Sequence, residues 1–136
     1  MTFVDSNVIL DVVTGDPRHL DWSKNALAMR DLQGPLIVND IVFAELCGRA
    51  ASVEAAGEIL RAGGFSHLAI PRSALFRAAY AYRLYRSRKG LRTGVLPDFF
   101  IGAHAEILGC PLLTRDTLRY RRYFPNVELI APEPIH

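Results

Sequence analysis

Short apolar runs and longer mixed segments alternate along the chain. Thr2 to Asp5 is an apolar run that closes on an acid. Ser6 to Thr14 carries Val8, Ile9, Leu10, Val12 and Val13 ahead of Gly15, which fits a short buried helix better than a second strand. Asp16 as N-cap with Pro17 at the first helical position predicts a helix to about Leu32, ended by Gly34 and Pro35. Leu36 to Val38 reads as a second strand. Asn39 or Asp40 then caps a helix from Ile41 to about Ala51, and Ser52 caps another that stops at Gly63 and Gly64. Leu68 to Ile70 is expected as a third strand, Ser73 to Lys89 as a long helix, and Gly90 to Leu96 as a loop. After Asp98 the segment to Leu108 is apolar nearly all round, the mark of a helix inside the protein. Cys110 to Thr114 and Val127 to Ile130 complete the strands, before a proline-rich tail.

Strands of about four apolar residues separated by helices predict a parallel sheet covered on both faces. Ligands of such sheets bind beyond the carboxyl ends of the strands. That rule draws together separated acids: Asp5 ends the first strand, Asp116 follows the fourth, Asp98 opens the buried helix, and Glu45 lies about one turn into the helix after the second strand.

At 136 residues the chain is expected to be a single domain, residues 1–136, with a core that needs no staple. No apolar run approaches the roughly 20 residues of a membrane span. The first residues carry no basic segment or cleavage site, so a cytoplasmic location is expected. Cys47 and Cys110 lack metal-type spacing and read as reduced thiols. A net charge of +2 does not by itself indicate nucleic acid. Distribution says more: only Lys24 and Lys89 are lysines, and arginines cluster at Arg83, Arg86, Arg88 and Arg92 and again at Arg115, Arg119, Arg121 and Arg122. Arginine forks suit phosphate, while a solvated helix face is the plainer account of the first cluster.

Carboxylates a few ångströms apart raise one another's pKa, and such a cluster stays anionic only if cations occupy it. Oxygen donors select hard ions, Mg²⁺ or Mn²⁺. Such ions polarise a phosphodiester, lower the pKa of a bound water and stabilise the leaving oxygen. On this reading Asp116 is neutralised by metal, leaving Arg115, Arg119, Arg121 and Arg122 for incoming phosphates.

Three stretches carry a family resemblance: VDSNVILD at Val4 to Asp11, NDIVFAEL at Asn39 to Leu46, and PDFFIGAHAEILGCPLLTRD at Pro97 to Asp116. In order and over essentially the whole chain, they resemble the motifs of PIN-domain ribonucleases, in particular the VapC-type toxins of VapBC toxin–antitoxin systems. The resemblance implies a three-layer α/β/α sandwich with a five-stranded parallel sheet, and a Mg²⁺- or Mn²⁺-dependent endoribonuclease. It implies catalytic and metal-holding roles for Asp5, Glu45, Asp98 and Asp116, with Asn7 and Thr114 as polar supports. Its implied partners are an RNA substrate, a cognate VapB-type antitoxin and a second copy of the chain. Gly102 and His104 depart from the small residues usual in the Asp98 helix, which bears on packing there.

Each acid has a plainer role when taken alone: Asp98 as a helix cap, Asp116 as a turn former, Asp5 as an arginine's partner. Asp11, Asp31 and Asp40 are assigned to solvent or capping, and His104 to the core. Tyr80, Tyr82, Tyr85, Phe76 and Leu84 read first as core or dimer contact and second as a base-stacking surface. An aspartyl phosphotransferase needs a second Asp where Asn7 stands and a lysine after a strand, and neither is present. A catalytically inactive scaffold of the same fold is the stronger rival, and it alone would be indifferent to Asp5→Asn.

Overall fold

Successive residues of a strand point to opposite faces. In β1 (Thr2–Val4) and β2 (Leu36–Val38) every residue is buried, so both faces of their sheet must be covered. The computed structural model describes residues 1–90 and 96–133. In it β1 and β2 join β3 (Phe65–His67), β4 (Leu112–Leu113) and β5 (Leu129–Ile130) in one five-stranded sheet, order β3-β2-β1-β4-β5. Every pairing is parallel, and helices flank the sheet in the layering expected.

The helices are α1 (Ser6–Thr14), α2 (Leu20–Gln33), α3 (Asp40–Cys47), α4 (Val53–Gly63), α5 (Arg72–Ser87), α6 (Leu96–Leu108) and α7 (Leu118–Tyr123). Phe3, Val4, Leu112 and Leu113 from the central strands meet Leu46, Phe99, Ile101 and Phe124 in the core.

Local sequence mis-set several boundaries. Asp16 does accept from the backbone N–H groups of Arg18 and His19, both at 2.9 Å, but it closes a turn, and α2 proper begins at Leu20. Helix α3 stops at Cys47, short of Ala51. Strand β3 is Phe65–His67 rather than Leu68–Ile70. It is an edge strand, where polar residues are tolerated, and the apolar Leu68 and Ile70 instead pack their side chains against the core. Asp98 lies inside the first turn of α6, not ahead of it, where a carboxylate suits the helix dipole. The loop expected from Gly90 to Leu96 falls, for residues 91–95, outside the described residues, as do Arg92 and residues 134–136. Helix α7 went unforeseen because its arginines mask an apolar stripe of Tyr120, Tyr123 and Phe124.

Candidate active site

Strand β1 has β2 on one side and β4 on the other. The chain leaves β1 toward β2 and reaches β4 only after crossing back from β3, so the strand order reverses between β1 and β4, where such sheets open a crevice. Asp5 and Thr114 follow these two strands directly, and the Asp5 N–H donates to the Leu113 carbonyl at 2.9 Å, which sets them side by side.

Asp5 is 3% exposed. It caps α1, accepting the Ser6 N–H at 2.8 Å through Oδ1. Its Oδ2 accepts the Thr114 hydroxyl at 2.8 Å, the Tyr120 hydroxyl at 3.0 Å and the Asn7 amide at 3.4 Å. Asn7 Oδ1 accepts the Arg115 N–H at 3.2 Å, and Thr114 Oγ1 accepts the Asp116 N–H at 3.1 Å. Asn7 and Thr114 thus bind Asp5 to the loop that presents Asp116.

The Tyr120 hydroxyl also faces Asp98 Oδ1 at 3.4 Å, so one phenol lies between two carboxylates. The Arg119 guanidinium pairs with Asp98 Oδ2. Glu45, reached from α3, accepts the Ser6 hydroxyl at 2.9 Å. Asp116 is exposed.

Burial pushes the Asp5 carboxyl up to about 6, against the pull of the Thr114 and Tyr120 hydrogen bonds and with help from the charge of Glu45. Asp98 is likewise raised to about 6, by burial and then by the charge of Asp5, with Asp116 adding and Arg119 opposing. Glu45 is raised by burial and by Asp98. Burial and these same charges hold the Tyr120 hydroxyl protonated, so it remains a donor. The four acids therefore act on one another electrostatically. They are not drawn into a tight cage: among the described residues no three His, Cys, Asp or Glu side chains are close enough to hold a metal ion as they stand.

Tyr120 and Ser6 escaped the reading of the sequence. The spacing of Tyr120 with Tyr123 and Phe124, three and four residues on, was the available signal. Asp11, assigned above to solvent or capping, is buried and receives Arg115 in a two-pronged pair at 2.6 and 2.9 Å, with the Ser23 hydroxyl at 2.6 Å. Arg115 is thereby held inside the chain, while Arg121 and Arg122 stand exposed on the last turn of α7. His104, 1% exposed, meets the Asn39 amide nitrogen at 3.1 Å. Because Asn39 Oδ1 caps α3, its amide must donate and His104 Nδ1 must accept, which gives a satisfied core histidine kept neutral by burial.

The PIN-domain family model matches residues 2–124. The chain belongs to the PIN-domain family. No curated protein matches it. Among solved structures, a chain of VapBC2 from Rickettsia felis, bound to a DNA fragment from their promoter, superposes with TM-score 0.74 at 17% identity, covering 97% of this chain and 98% of that one. A toxin–antitoxin complex from Klebsiella pneumoniae gives 0.70 at 22%, covering 99% and 100%. VapBC-1 from nontypeable Haemophilus influenzae gives 0.69 at 16%, covering 96% of each. These likenesses are of fold.

PIN domains are a nuclease family, and the donor set here fits a hard divalent cation. Its donors are all carboxylate oxygens, and two of them, Asp5 and Asp98, are raised to about 6 by burial and by neighbouring carboxylate charge, Glu45 on Asp5 and Asp5 on Asp98, which a cation would relieve. Arg119 supplies part of that positive charge from within the PIN domain.

Proposed function

We propose that this PIN domain is a divalent-metal-dependent endoribonuclease and the toxin of a toxin–antitoxin pair, acting in the cytoplasm. The reading rests chiefly on one observation: Asp5 and Asp98, from two separate elements, share the Tyr120 hydroxyl at the reversal point of the sheet. Asp5, Asp98 and Asp116 would hold Mg²⁺ or Mn²⁺, with Glu45 completing the set directly or through water. The metal, when bound, polarises the phosphodiester and acidifies the attacking water. Tyr120, Thr114 and Asn7 fix the Asp5 carboxylate, Ser6 fixes Glu45, and Arg119 neutralises Asp98 until a cation takes over its charge. Water attacks the phosphorus while the bond to the ribose 3′-oxygen breaks and that oxygen takes up a proton, leaving the 2′-hydroxyl uninvolved, so the products carry 5′-phosphate and 3′-hydroxyl ends; cyclic phosphate ends would overturn this route.

The test is a labelled stem-loop RNA incubated with Mg²⁺, Mn²⁺ or EDTA, using the wild type, Asp5→Asn and Asp98→Asn. Cleavage that needs metal and disappears in both variants supports the reading. Equal cutting by all three proteins overturns it. Binding without cutting, combined with equal toxicity of wild type and Asp5→Asn in cells, favours the inactive scaffold.

For the antitoxin, the supporting feature is an apolar groove of about 510 Å³ lined by Val12, Val13, Leu27, Ile59 and Phe65, with Asp31 and Glu58 among its walls. An apolar helix carrying basic residues suits it, and the toxin–antitoxin complex from Klebsiella pneumoniae has this fold. The expected homodimer would use the exposed Phe76, Tyr80 and Leu84 of α5. Phe76→Glu in light scattering tests that face.

A further inference from the structure

We propose that the cavity beside Asp116 seats one unpaired nucleotide adjacent to the scissile phosphate. The inference rests on the ribonuclease reading above and names where its substrate is gripped. The cavity holds about 310 Å³, the lower end of the roughly 300–1,000 Å³ usual for small-molecule sites. Its walls come from the end of α5, Gly90, the loop with Asp116, and α7.

Two kinds of group line it. Tyr85 and Tyr123 are stacked, 5.8 Å apart and tilted by 14°. Arg119 lies 5.7 Å from the Tyr85 ring, and Arg88 and Arg122 lie 5.7 and 6.0 Å from the Tyr123 ring. Guanidinium groups laid against rings keep their N–H edges available to phosphate oxygens. Arg119 is taken up by Asp98, which leaves Arg88 and Arg122 facing the single lining carboxylate, that of Asp116, so the cavity favours an anion. At its rim Leu118 is 81% exposed, an apolar surface for a base.

The site is shaped rather than incidental. A Cβ on Gly90 would run into the Tyr85 ring, so glycine lets the turn close against that wall. The Arg86 guanidinium holds the Gly90 carbonyl at 2.6 Å. Arg119 belongs both to this wall and to the Asp98 pair, which joins the cavity to the carboxylates. A duplex keeps its bases stacked and paired, whereas a base from a single strand or loop can be turned into a cavity of this size. An acidic peptide would satisfy the arginines but makes no use of the contact with the carboxylate site.

The test measures binding of a short fluorescent unpaired oligoribonucleotide to the Asp5→Asn chain, with and without Arg88→Ala plus Arg122→Ala, across a salt series. Both arginines are exposed, so their removal leaves the core intact. About a tenfold loss of affinity is expected. The slope of log affinity against log salt should also shrink by about 1.4, two single-strand phosphate contacts at roughly 0.7 each. Leu118→Ala should weaken binding with the slope unchanged, and a duplex of the same sequence should bind weakly and be indifferent to all three substitutions. In the otherwise wild-type chain the double substitution should raise KM and leave kcat within about twofold.

Unchanged affinity and slope would overturn the pocket even where the wild type cleaves RNA. Arginine-dependent binding with no cleavage by the wild type would keep the pocket and overturn the nuclease reading. No RNA binding at all, or equal arginine dependence for poly-glutamate, would overturn the nucleotide assignment.

Discussion

Replacing Arg115 by alanine separates two roles for the same side chain. As a free phosphate contact, its loss would weaken RNA binding and leave folding untouched. In the structure its guanidinium instead neutralises Asp11, whose side chain is 4% exposed against 27% for Arg115. Removing one member of a buried pair costs about 3–5 kcal/mol, because a charge is left without compensation. The partial exposure of Arg115 admits water to the vacated space and the Ser23 hydroxyl stays in place, so the lower end, about 3 kcal/mol, is expected. With an unfolding entropy of roughly 290 cal/mol/K for 136 residues, that corresponds to a fall in Tm of about 10 °C. Circular dichroism melts of Arg115→Ala, Asp11→Ala and the double variant measure it. The double variant should be less destabilised than the sum of the singles by about 2 kcal/mol, since removing both charges leaves neither unpaired. A Tm within about 2 °C of wild type, with a reduced salt dependence of RNA binding, would refute the structural role.

Three further outcomes follow from the site and its supports. The folded pKa values of Asp5 and Asp98, about 6 against 3.8 in the unfolded chain, mean that the folded state binds protons more tightly. Without divalent metal their contribution to stability therefore rises as pH falls from about 6 toward about 4 and is lost as pH rises through 6. The neutral His104 opposes this, so the comparison that isolates the carboxylates is with Asp98→Asn, whose Tm should gain less between about pH 7.5 and pH 5. An equal gain refutes the assignment. Tyr120→Phe removes a buried donor to Asp5, which should destabilise by about 1.5–3 kcal/mol in denaturant melts and move the acid limb of the cleavage profile to higher pH. An unmoved limb would show that the phenol does not tune Asp5. Gly102→Ala would drive a Cβ into the ring of Phe124, itself 1% exposed, and should destabilise by about 1–3 kcal/mol without altering the metal dependence of cleavage.

Much of the molecule could be read along the chain, wherever the signal is local. Apolar runs at Thr2 to Val4 and Leu36 to Val38 announce buried strands because a sheet covered on both faces excludes polar residues from every position. Asn39 and Ser52 announce helices because an N-cap satisfies backbone groups only a few residues away. The motif order pointed to Asp5, Glu45, Asp98 and Asp116, whose electrostatic influence on one another the fold then displays. Where the deciding contact lies far along the chain, the sequence is mute. Asp11 looks like any helix-surface acid until Arg115, 104 positions on, closes over it. Tyr120 is hidden among arginines, and only the packing of α7 into the core brings its hydroxyl to Asp5, 115 positions away. The edge position of β3 allowed Phe65–His67 to pair where the more apolar Leu68 to Ile70 promised a strand. Sequence by itself determined the buried central strands, most of the helices and the acids that stand at their ends, since those depend on neighbours within a turn or two. Tertiary structure alone decided which charges are paired, which arginines stay exposed and which hydroxyl lies between the Asp5 and Asp98 carboxylates, because burial and partnership depend on residues that only folding brings together.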